Sequence, residues 1–408
     1  MKLFLRFGVA LLLCLGLFLS LASCTLRVSA EHLSKKYKAK NNLKGTLSEE
    51  GVLAGYRFAL ALLSATDTEK ENQLISPLSV MLALGMTANG AQGDTRKEME
   101  EVFGMSVEEM NLFLLGFLES SDRELFKAAQ SIWLRDTGLS VEDAFLQAAV
   151  DYYGADAYAA KFDQSTVKDI NRWVEYHTDG MIDQLLEQIS PSAMLYLISA
   201  MAFDAKWETP YKQNQIQKDI FTHTDGKTET VDMMTSKESV YLALGDALGV
   251  LKYYQGGRYA FAGILPPEGV APSDYLASLS EKDLAALLGS VRHGTVNAKI
   301  PAFSFSGDYL LNDALKSLGM DLAFSSAADF SGIDKNAPLS IGEVRHKTFI
   351  DLSAEGTRAA AVTSVSVKAT SLSPNEPLYI HLNRPFVAVI VDTQTGLPLF
   401  IGVVNHIQ

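Results

Sequence analysis

Cysteine is almost absent from this 408-residue chain: there are two, Cys14 and Cys24, both near the start. No pair remains for a disulfide in the rest of the chain, and no cysteine-based metal centre can form there, so stability has to come from buried apolar surface. Positive charge is also short. Lys and Arg total 35 against 48 Asp and Glu, giving a net charge of −13 and a pI near 5.1. That balance argues against a nucleic-acid partner and for a soluble acidic surface. The common catalytic signatures are missing too: there is no G-x-S-x-G, H-E-x-x-H, G-x-x-x-x-G-K-[ST] or G-x-G-x-x-G. The segment "NGAQGDT" has two glycines but no following lysine to hold a phosphate. The seven histidines are scattered, and His346, the one inside a strand pattern, reads as a hydrogen-bonded structural group before it reads as a base. A triad assembled from distant positions is not excluded by such a search, but nothing positive supports one. The expectation is a protein that is not an enzyme and uses no cofactor and no metal.

What is present begins with an export signal. Lys2 and Arg6 precede the apolar run "FGVALLLCLGLFLSLA", which ends in "LASC" at Cys24. That ending resembles the lipobox of bacterial lipoproteins, whose cysteine is lipidated and becomes the first residue. Residues 1–23 are then a signal peptide and Cys24 the lipid attachment, placing the protein at the outer face of a bacterial cell membrane. Ordinary cleavage after Ala30, which would free the chain into the extracellular space, is the alternative; an uncleaved anchor is a third. Residues 24–47, polar and lysine-rich, are expected to be a tether. With 48% hydrophobic residues, no internal repeat and no low-complexity linker, residues 48–408 are expected to form one domain.

Helical periodicity dominates early, in "SEEGVLAGYRFALALLSAT", in "SPLSVMLALGMTANGA" with Ser76 and Pro77 at its start, and in "TVKDINRWVEYHTDGMIDQLLEQI", interrupted at Gly180. Strand patterns follow in "AMLYLISAMAFDAKW", "YAFAGILPP", "TVNAKIPAFSFSG", "LSIGEVRHKTFIDLS" and "LYIHLNRPFVAVIVDT". Such an order is not a βαβ alternation. It predicts an α+β fold with largely antiparallel sheets.

Between the last two strands runs "AEGTRAAAVTSVSVKATSLSPNEP", Ala354 to Pro377. Its odd positions, Thr357, Ala359, Ala361, Thr363, Val365, Val367 and Ala369, are small or apolar. Its even positions, Arg358, Ala360, Val362, Ser364, Ser366, Lys368 and Thr370, are mostly polar or small. That is the pattern of a half-buried strand, lying where a loop is expected. Small side chains suit a segment that must slide into a sheet, and Gly356 supplies freedom where the chain would fold back. An exposed loop, or a short helix at "RAAAV", is the alternative; the two prolines of "SLSPNEP" disfavour a permanent strand.

From about Leu53 to Asn405 the sequence resembles the serpin family. The blocks that carry the resemblance occur in order: "NQLISPLSVMLALGMTANGAQGDTRKEM", "INRWVEYHTDGMI", "LISAMAFDAKW" ending in Trp207, "LGMDLAFSSAADFSGI", "VRHKTFIDLSAEGTRAAAVT" and "NRPFVAVIVDTQTGLPLFIGVV". The resemblance implies three largely antiparallel sheets, eight or nine helices and an exposed reactive-centre loop at about 356–377. It implies a monomeric suicide-substrate inhibitor that is cut in this loop, forms an acyl-enzyme and inserts the cut loop into its central sheet. The alternative is a non-inhibitory member acting as a binding or chaperone-like module. Family spacing puts the scissile bond at Thr370–Ser371, suiting elastase-like or subtilisin-like proteases. A cut at Lys368–Ala369 would instead suit trypsin-like or papain-like ones. The hinge is then Gly356, Thr357, Ala359, Ala360, Ala361 and Thr363, and Ser76, Ser79, Ser199 and His346 form the polar cluster that gates the sheet. Two departures stand out: Ala354 lies where members often have glutamate, and Ser199 where they have asparagine. The shorter serine implies either a bridging water or a sheet that opens more readily.

Overall fold

The computed structural model describes residues 26, 28–66, 71–190, 193–357 and 377–407. Among them are nine α-helices: α1 (Glu49–Ala65), α2 (Pro77–Ala88), α3 (Gly93–Phe103), α4 (Val107–Ser120), α5 (Asp143–Tyr153), α6 (Gln164–His177), α7 (Pro272–Ser278), α8 (Glu281–Gly289) and α9 (Asn312–Ser317). The Ser48 hydroxyl caps α1 by accepting from the Gly51 N–H, and the Asp163 carboxylate caps α6 by accepting from Ser165 and Thr166. Every residue of α2 is buried, so this helix is the centre of the core and needs no polar face. The third expected helix ends at His177, and the chain turns away through Asp179 and Gly180, both at positive φ, 50° and 72°. The chain beyond it is held irregularly, with the Asn171 side-chain oxygen accepting from the Leu185 and Leu186 N–H groups.

Among the described residues seventeen strands, β1 to β17 in chain order, form two sheets. The first contains β1 (Glu31–His32), β3 (Phe126–Arg135), β4 (Asp156–Ala160), β5 (Leu195–Phe203), β6 (Ala205–Lys206), β12 (Phe303–Leu310), β13 (Glu343–Leu352) and β14 (Gly356–Thr357). The second contains β2 (Gln73–Ile75), β7 (Ile216–Thr222), β8 (Thr228–Leu244), β9 (Ala247–Tyr253), β10 (Tyr259–Leu265), β11 (Val291–Pro301), β15 (Leu378–His381), β16 (Phe386–Asp392) and β17 (Pro398–Val404). The expected second and third sheets are continuous here, because the 17-residue β8 pairs with β7 at its start, with β9 at its end and with β11 from Met233 to Leu242. Most pairs are antiparallel; β3–β4, β5–β13 and β11–β15 are parallel. "TVNAKIPAFSFSG" splits at Ala302 between β11 and β12, which belong to different sheets.

The main core lies between α2 and the two sheets, while a second cluster sits on the outer face of the first sheet. There Val167, Ile170, Trp173 and Val174 of α6 pack on Trp133, Tyr158, Tyr196 and Ile198. α6 therefore covers β3, β4 and β5 from outside.

The segment expected to be a free tether is strapped to this surface. β1 extends the first sheet by pairing with β4, Glu31 opposite Ala159 and His32 opposite Tyr158. The buried Asp169 carboxylate of α6 accepts from the Ser29 N–H at 2.8 Å, the Ser29 hydroxyl at 2.5 Å and the Ala30 N–H at 3.1 Å. His32 pairs with Asp156 at 3.2 Å, Lys40 with Asp151 at 3.1 Å, and the Thr46 N–H donates to the Leu112 carbonyl at 2.8 Å. Polar composition suggested a linker; the segment's donors instead find fixed carboxylates, and Leu33, Tyr37 and Leu47 pack on the main core.

Candidate functional site

The first sheet has a seam. β5 and β13 are parallel neighbours that pair only over Tyr196–Ile198 and Glu343–Arg345. Beyond that the ladder stops, although β5 continues to Phe203 and β13 to Leu352. At the far end the short β14 stands between them, with Thr357 opposite Leu352 on one side and opposite Ala205 on the other, and Gly356 opposite Lys206. The result is a slot closed at both ends and parted in the middle. Met201, Phe203, Phe349 and Thr357 line a narrow crevice there, with Ile182 beside them. Along β13 the even residues Val344, His346, Thr348, Ile350 and Leu352 are buried, and the odd residues are half-buried or exposed. The sheet thus has a defined inner face, and Thr357, which is 2% exposed, lies on it.

Under the parted stretch the inner face is polar. The Ser79 and Ser199 hydroxyls are 2.6 Å apart, joining α2 to β5. The Ser76 N–H, at the entry to α2, donates to Nε2 of His346 at 3.0 Å, joining α2 to β13. The Ser76 hydroxyl turns to the Met201 sulfur and does not cap the helix. All four residues expected to gate the sheet thus meet at the start of α2, but as two separate bonds on the two sides of the seam. Burial pushes the His346 imidazole down to about 4, so at neutral pH the ring is uncharged. With Nε2 accepting, its proton is on Nδ1, which has no partner. The amide of Gln130, which faces Ser199 across the β3–β5 ladder, is buried and also unpartnered. Thr348 donates to the Leu74 carbonyl at 2.8 Å, and the Tyr309 ring stacks on His346 at 6.1 Å. Gln130, Thr348 and Tyr309 were not singled out from the sequence. A buried glutamine within a strand of otherwise apolar or small residues was the available signal.

The loop root is fixed at the other end of the slot. Trp207, fully buried, donates its indole N–H to the Ser353 carbonyl and its backbone N–H to the Glu355 carbonyl, both at 2.9 Å. The Tyr211 N–H donates to the Ala354 carbonyl at 2.9 Å. The Trp207 ring stacks on Tyr254 at 4.5 Å, and the Tyr254 hydroxyl meets that of Thr357 at 2.5 Å. Lys252, 3% exposed, lies over the Tyr211 ring at 4.4 Å and pairs with Glu238 at 2.9 Å. Ala354 therefore contributes through its backbone, and the buried ion pair at this end is Lys252–Glu238. Gly356 is required for a reason beyond flexibility: a Cβ there would sit 2.1 Å from the Ala205 carbonyl oxygen. Of the other residues assigned roles from the sequence, Cys24, Ala359, Ala360, Ala361, Thr363, Lys368, Ala369, Thr370 and Ser371 lie outside the described residues.

A parted central sheet with a chain segment rooted in the gap defines a class of protein, and comparison with known proteins gives the same class. The family profile described as "Serpin (serine protease inhibitor)" matches residues 54–407. The chain belongs to the serpin family. It is 31% identical to alpha-1-antiproteinase 2 of Equus caballus over 86% of this chain and 85% of that one. It is 29% identical to an uncharacterized serpin-like protein of Thermococcus kodakarensis, covering 92% and 91%. Among solved structures, the native state of tengpin, a thermophilic serpin, is 39% identical and superposes with a TM-score of 0.87 over 93% of this chain and 100% of that one. The latent state of the same serpin gives 0.78 at 37% identity, over 90% and 100%. Human thyroxine-binding globulin with its ligand gives 0.78 at 25% identity, over 88% and 98%. Serpins are mostly inhibitors rather than catalytic enzymes and commonly partner with proteases; the thyroxine carrier shows that the fold also serves binding.

Proposed function

We propose that this serpin inhibits proteases as a suicide substrate. The observation that carries the reading is the slot between β5 and β13 with Thr357 already seated at its end. A segment continuing from Thr357 would run antiparallel to both strands, so each further residue steps back by one along each. Six residues on, Thr363 comes level with Ser199 on one side and His346 on the other. Because opposed residues share a face, the odd positions would all turn inward, toward the buried side of β13. These are the small and β-branched residues. Arg358 and Lys368 would turn outward.

The chemistry follows. The protease nucleophile attacks the carbonyl carbon of the residue before the scissile bond, Thr370 in the first assignment and Lys368 in the second. The peptide C–N bond breaks, the new amino terminus leaves with the proton delivered by the protease's general acid, and an ester, or a thioester with a papain-like enzyme, joins the two proteins. The freed strand then enters the slot, its backbone groups pairing on both sides. About 14 residues, from Thr357 to Thr370, span roughly 45 Å, enough to carry the attached protease across most of a domain before water reaches the ester. Elastase-like and subtilisin-like serine proteases fit Thr370; trypsin-like or papain-like enzymes fit Lys368. Export and lipid attachment at Cys24 belong to the same proposal. With the strap packed from Val28 onward, only a few residues would separate the lipid from the body.

The test is incubation with elastase, subtilisin, trypsin and papain, followed by denaturing electrophoresis and mass analysis. The expected result is a complex that survives SDS, with the cut after Thr370 or Lys368. Cleavage by all four with the protease released active would instead make the protein a binding module. A Thr363→Arg variant, whose side chain would have to turn to the buried side level with Ser199 and His346, should be cut without trapping; Arg358→Ala should trap normally.

A further inference from the structure

The chain re-enters the described fold at Pro377 and at once forms β15, the edge strand of the second sheet. On its outer face stands Tyr379, 64% exposed, the most exposed large hydrophobic side chain among the described residues. Its ring touches the edge of His381 at 5.9 Å. Ile380, pointing the other way, is 1% exposed and supplies the strand's packing, so the fold gives no reason for an aromatic residue at 379. In the same row across the sheet lie Asn297 of β11 and the exposed Lys237 of β8. Lys237 has no ion pair among the described residues, whereas nearby Lys299 is neutralised by Asp219 at 2.5 Å. An exposed aromatic ring thus shares one row of the sheet with a cation that lacks an ion-pair partner among the described residues, two strands away.

We propose that this face, with Tyr379 as anchor and Lys237 two strands away, is a docking surface for the body of the target protease, separate from the scissile residue. The proposal rests on the reading that a protease cuts the loop. Geometry supplies the occupant. Pro377 is seven residues beyond Thr370, and a chain extends by at most about 3.5 Å per residue. The enzyme's active site is therefore held within about 25 Å of the start of β15. A protease of about 220 residues has a radius of gyration near 17 Å, so its body can reach this face from the root of the loop. Exposed tyrosine that excludes water on contact is the residue type on which such interfaces concentrate their affinity. The matching partner is a protease with an apolar notch and carboxylates near its active-site cleft.

The measurement is the second-order rate at which a protease cuts the loop of the intact protein, counting trapped complex and released product together. That rate reads docking whether or not trapping follows, while the trapped fraction alone decides the inhibitor reading. For at least one of elastase, subtilisin and trypsin, Tyr379→Ser should lower the rate about five- to twentyfold and Tyr379→Phe should restore most of it. Lys237→Glu should lower it further at low salt and less at high salt. The trapped fraction should not change, nor should the cutting of a free peptide spanning Thr363 to Pro377. Rates for Tyr379→Ser within twofold of the parent for all three proteases would overturn the proposal. So would a change in the sedimentation of the free protein with unchanged rates, which would make the face a contact between copies.

Discussion

Two pairs of buried strands in this molecule meet in opposite ways. β16 and β17 are antiparallel, follow each other through a short turn pinned by Asp392, and pair from Phe386 with Val404 to Val391 with Pro398. Both are buried along their whole length and present no hydroxyl or imidazole to the core. β5 and β13 are equally central, but they are parallel, separated by a crossover that holds most of the second sheet, and paired over three residues. Where they part, the inner face carries Ser199, His346 and Thr348, with Gln130 one strand away. Apolar residues of matching shape would have closed the sheet there. The contrast locates the unfinished part of the fold: the hairpin is at its best pairing, and the seam awaits a strand.

The largest expected effect comes from completing the seam. On the proposed mechanism, cutting the loop near Thr370 would let residues 358–363 pair on both sides. At about 1 kcal/mol per hydrogen bond, less about 1 kcal/mol for ordering each residue of the segment, the gain is on the order of a few kcal/mol. The cut protein should melt several degrees above the intact one in calorimetry. Equal midpoints would mean that the slot takes no strand. The hairpin provides the control: Gly402→Ala places a Cβ 1.8 Å from the Gln73 carbonyl oxygen and should destabilise the cut and intact forms alike.

Next is the pH dependence of the intact form. His346 titrates near 6.5 when unfolded and at about 4 when folded, held down by burial. Between those values the unfolded state binds the extra proton. Its contribution to stability is therefore complete above pH 6.5 and falls as pH drops toward 4, by about 3 kcal/mol in all. Denaturant melts of the intact protein from pH 7.5 to 4.5 should show this slope, and His346→Phe should flatten it. A slope unchanged in that variant would assign the titration elsewhere.

The outer cover of the sheet comes third. Asp169 holds the strap to α6 by three bonds from Ser29 and Ala30. Asp169→Ala should cost about 2 kcal/mol and open the strap to trypsin at Lys35 and Lys36. An unchanged midpoint with a protected strap would show that the remaining contacts, such as His32 with Asp156, suffice.

How legible this was differed by kind of residue. The α+β class, the buried helix after Ser76, the fold's family and the alternation from Thr357 onward could all be read from the sequence, because periodicity and motif order are local in it. The strap could not. Lysines and small polar residues look the same whether solvated or matched to carboxylates more than a hundred residues away, as Ser29 is to Asp169. The gating residues were named as one cluster; that Ser79–Ser199 and Ser76–His346 are separate bonds on opposite banks depends on how far β5 and β13 stand apart, which no pattern within either strand encodes. Gly356 was marked for flexibility, while its constraint is a contact with the distant Ala205.

The smallest effect sharpens the comparison most. Ser199→Asn lengthens one side chain on the inner face beside the parted ladder. Opposite it on β3 is the Gln130 amide, and across the seam stands the buried His346 ring with its Nδ1, both without a partner among the described residues. An asparagine offers both an acceptor and a donor, so it can keep a bond to Ser79 and satisfy one of these orphans, gaining about 1 kcal/mol. The gain should belong to the intact form alone. Once a strand fills the slot, Thr363 comes level with both Ser199 and His346 and takes that space. A midpoint raised by a degree or two in the intact protein, with no rise in the cut one, would mark this polar pocket as a place reserved for the incoming strand. A rise of equal size in both would reduce it to an ordinary packing defect, no different in kind from one in the hairpin.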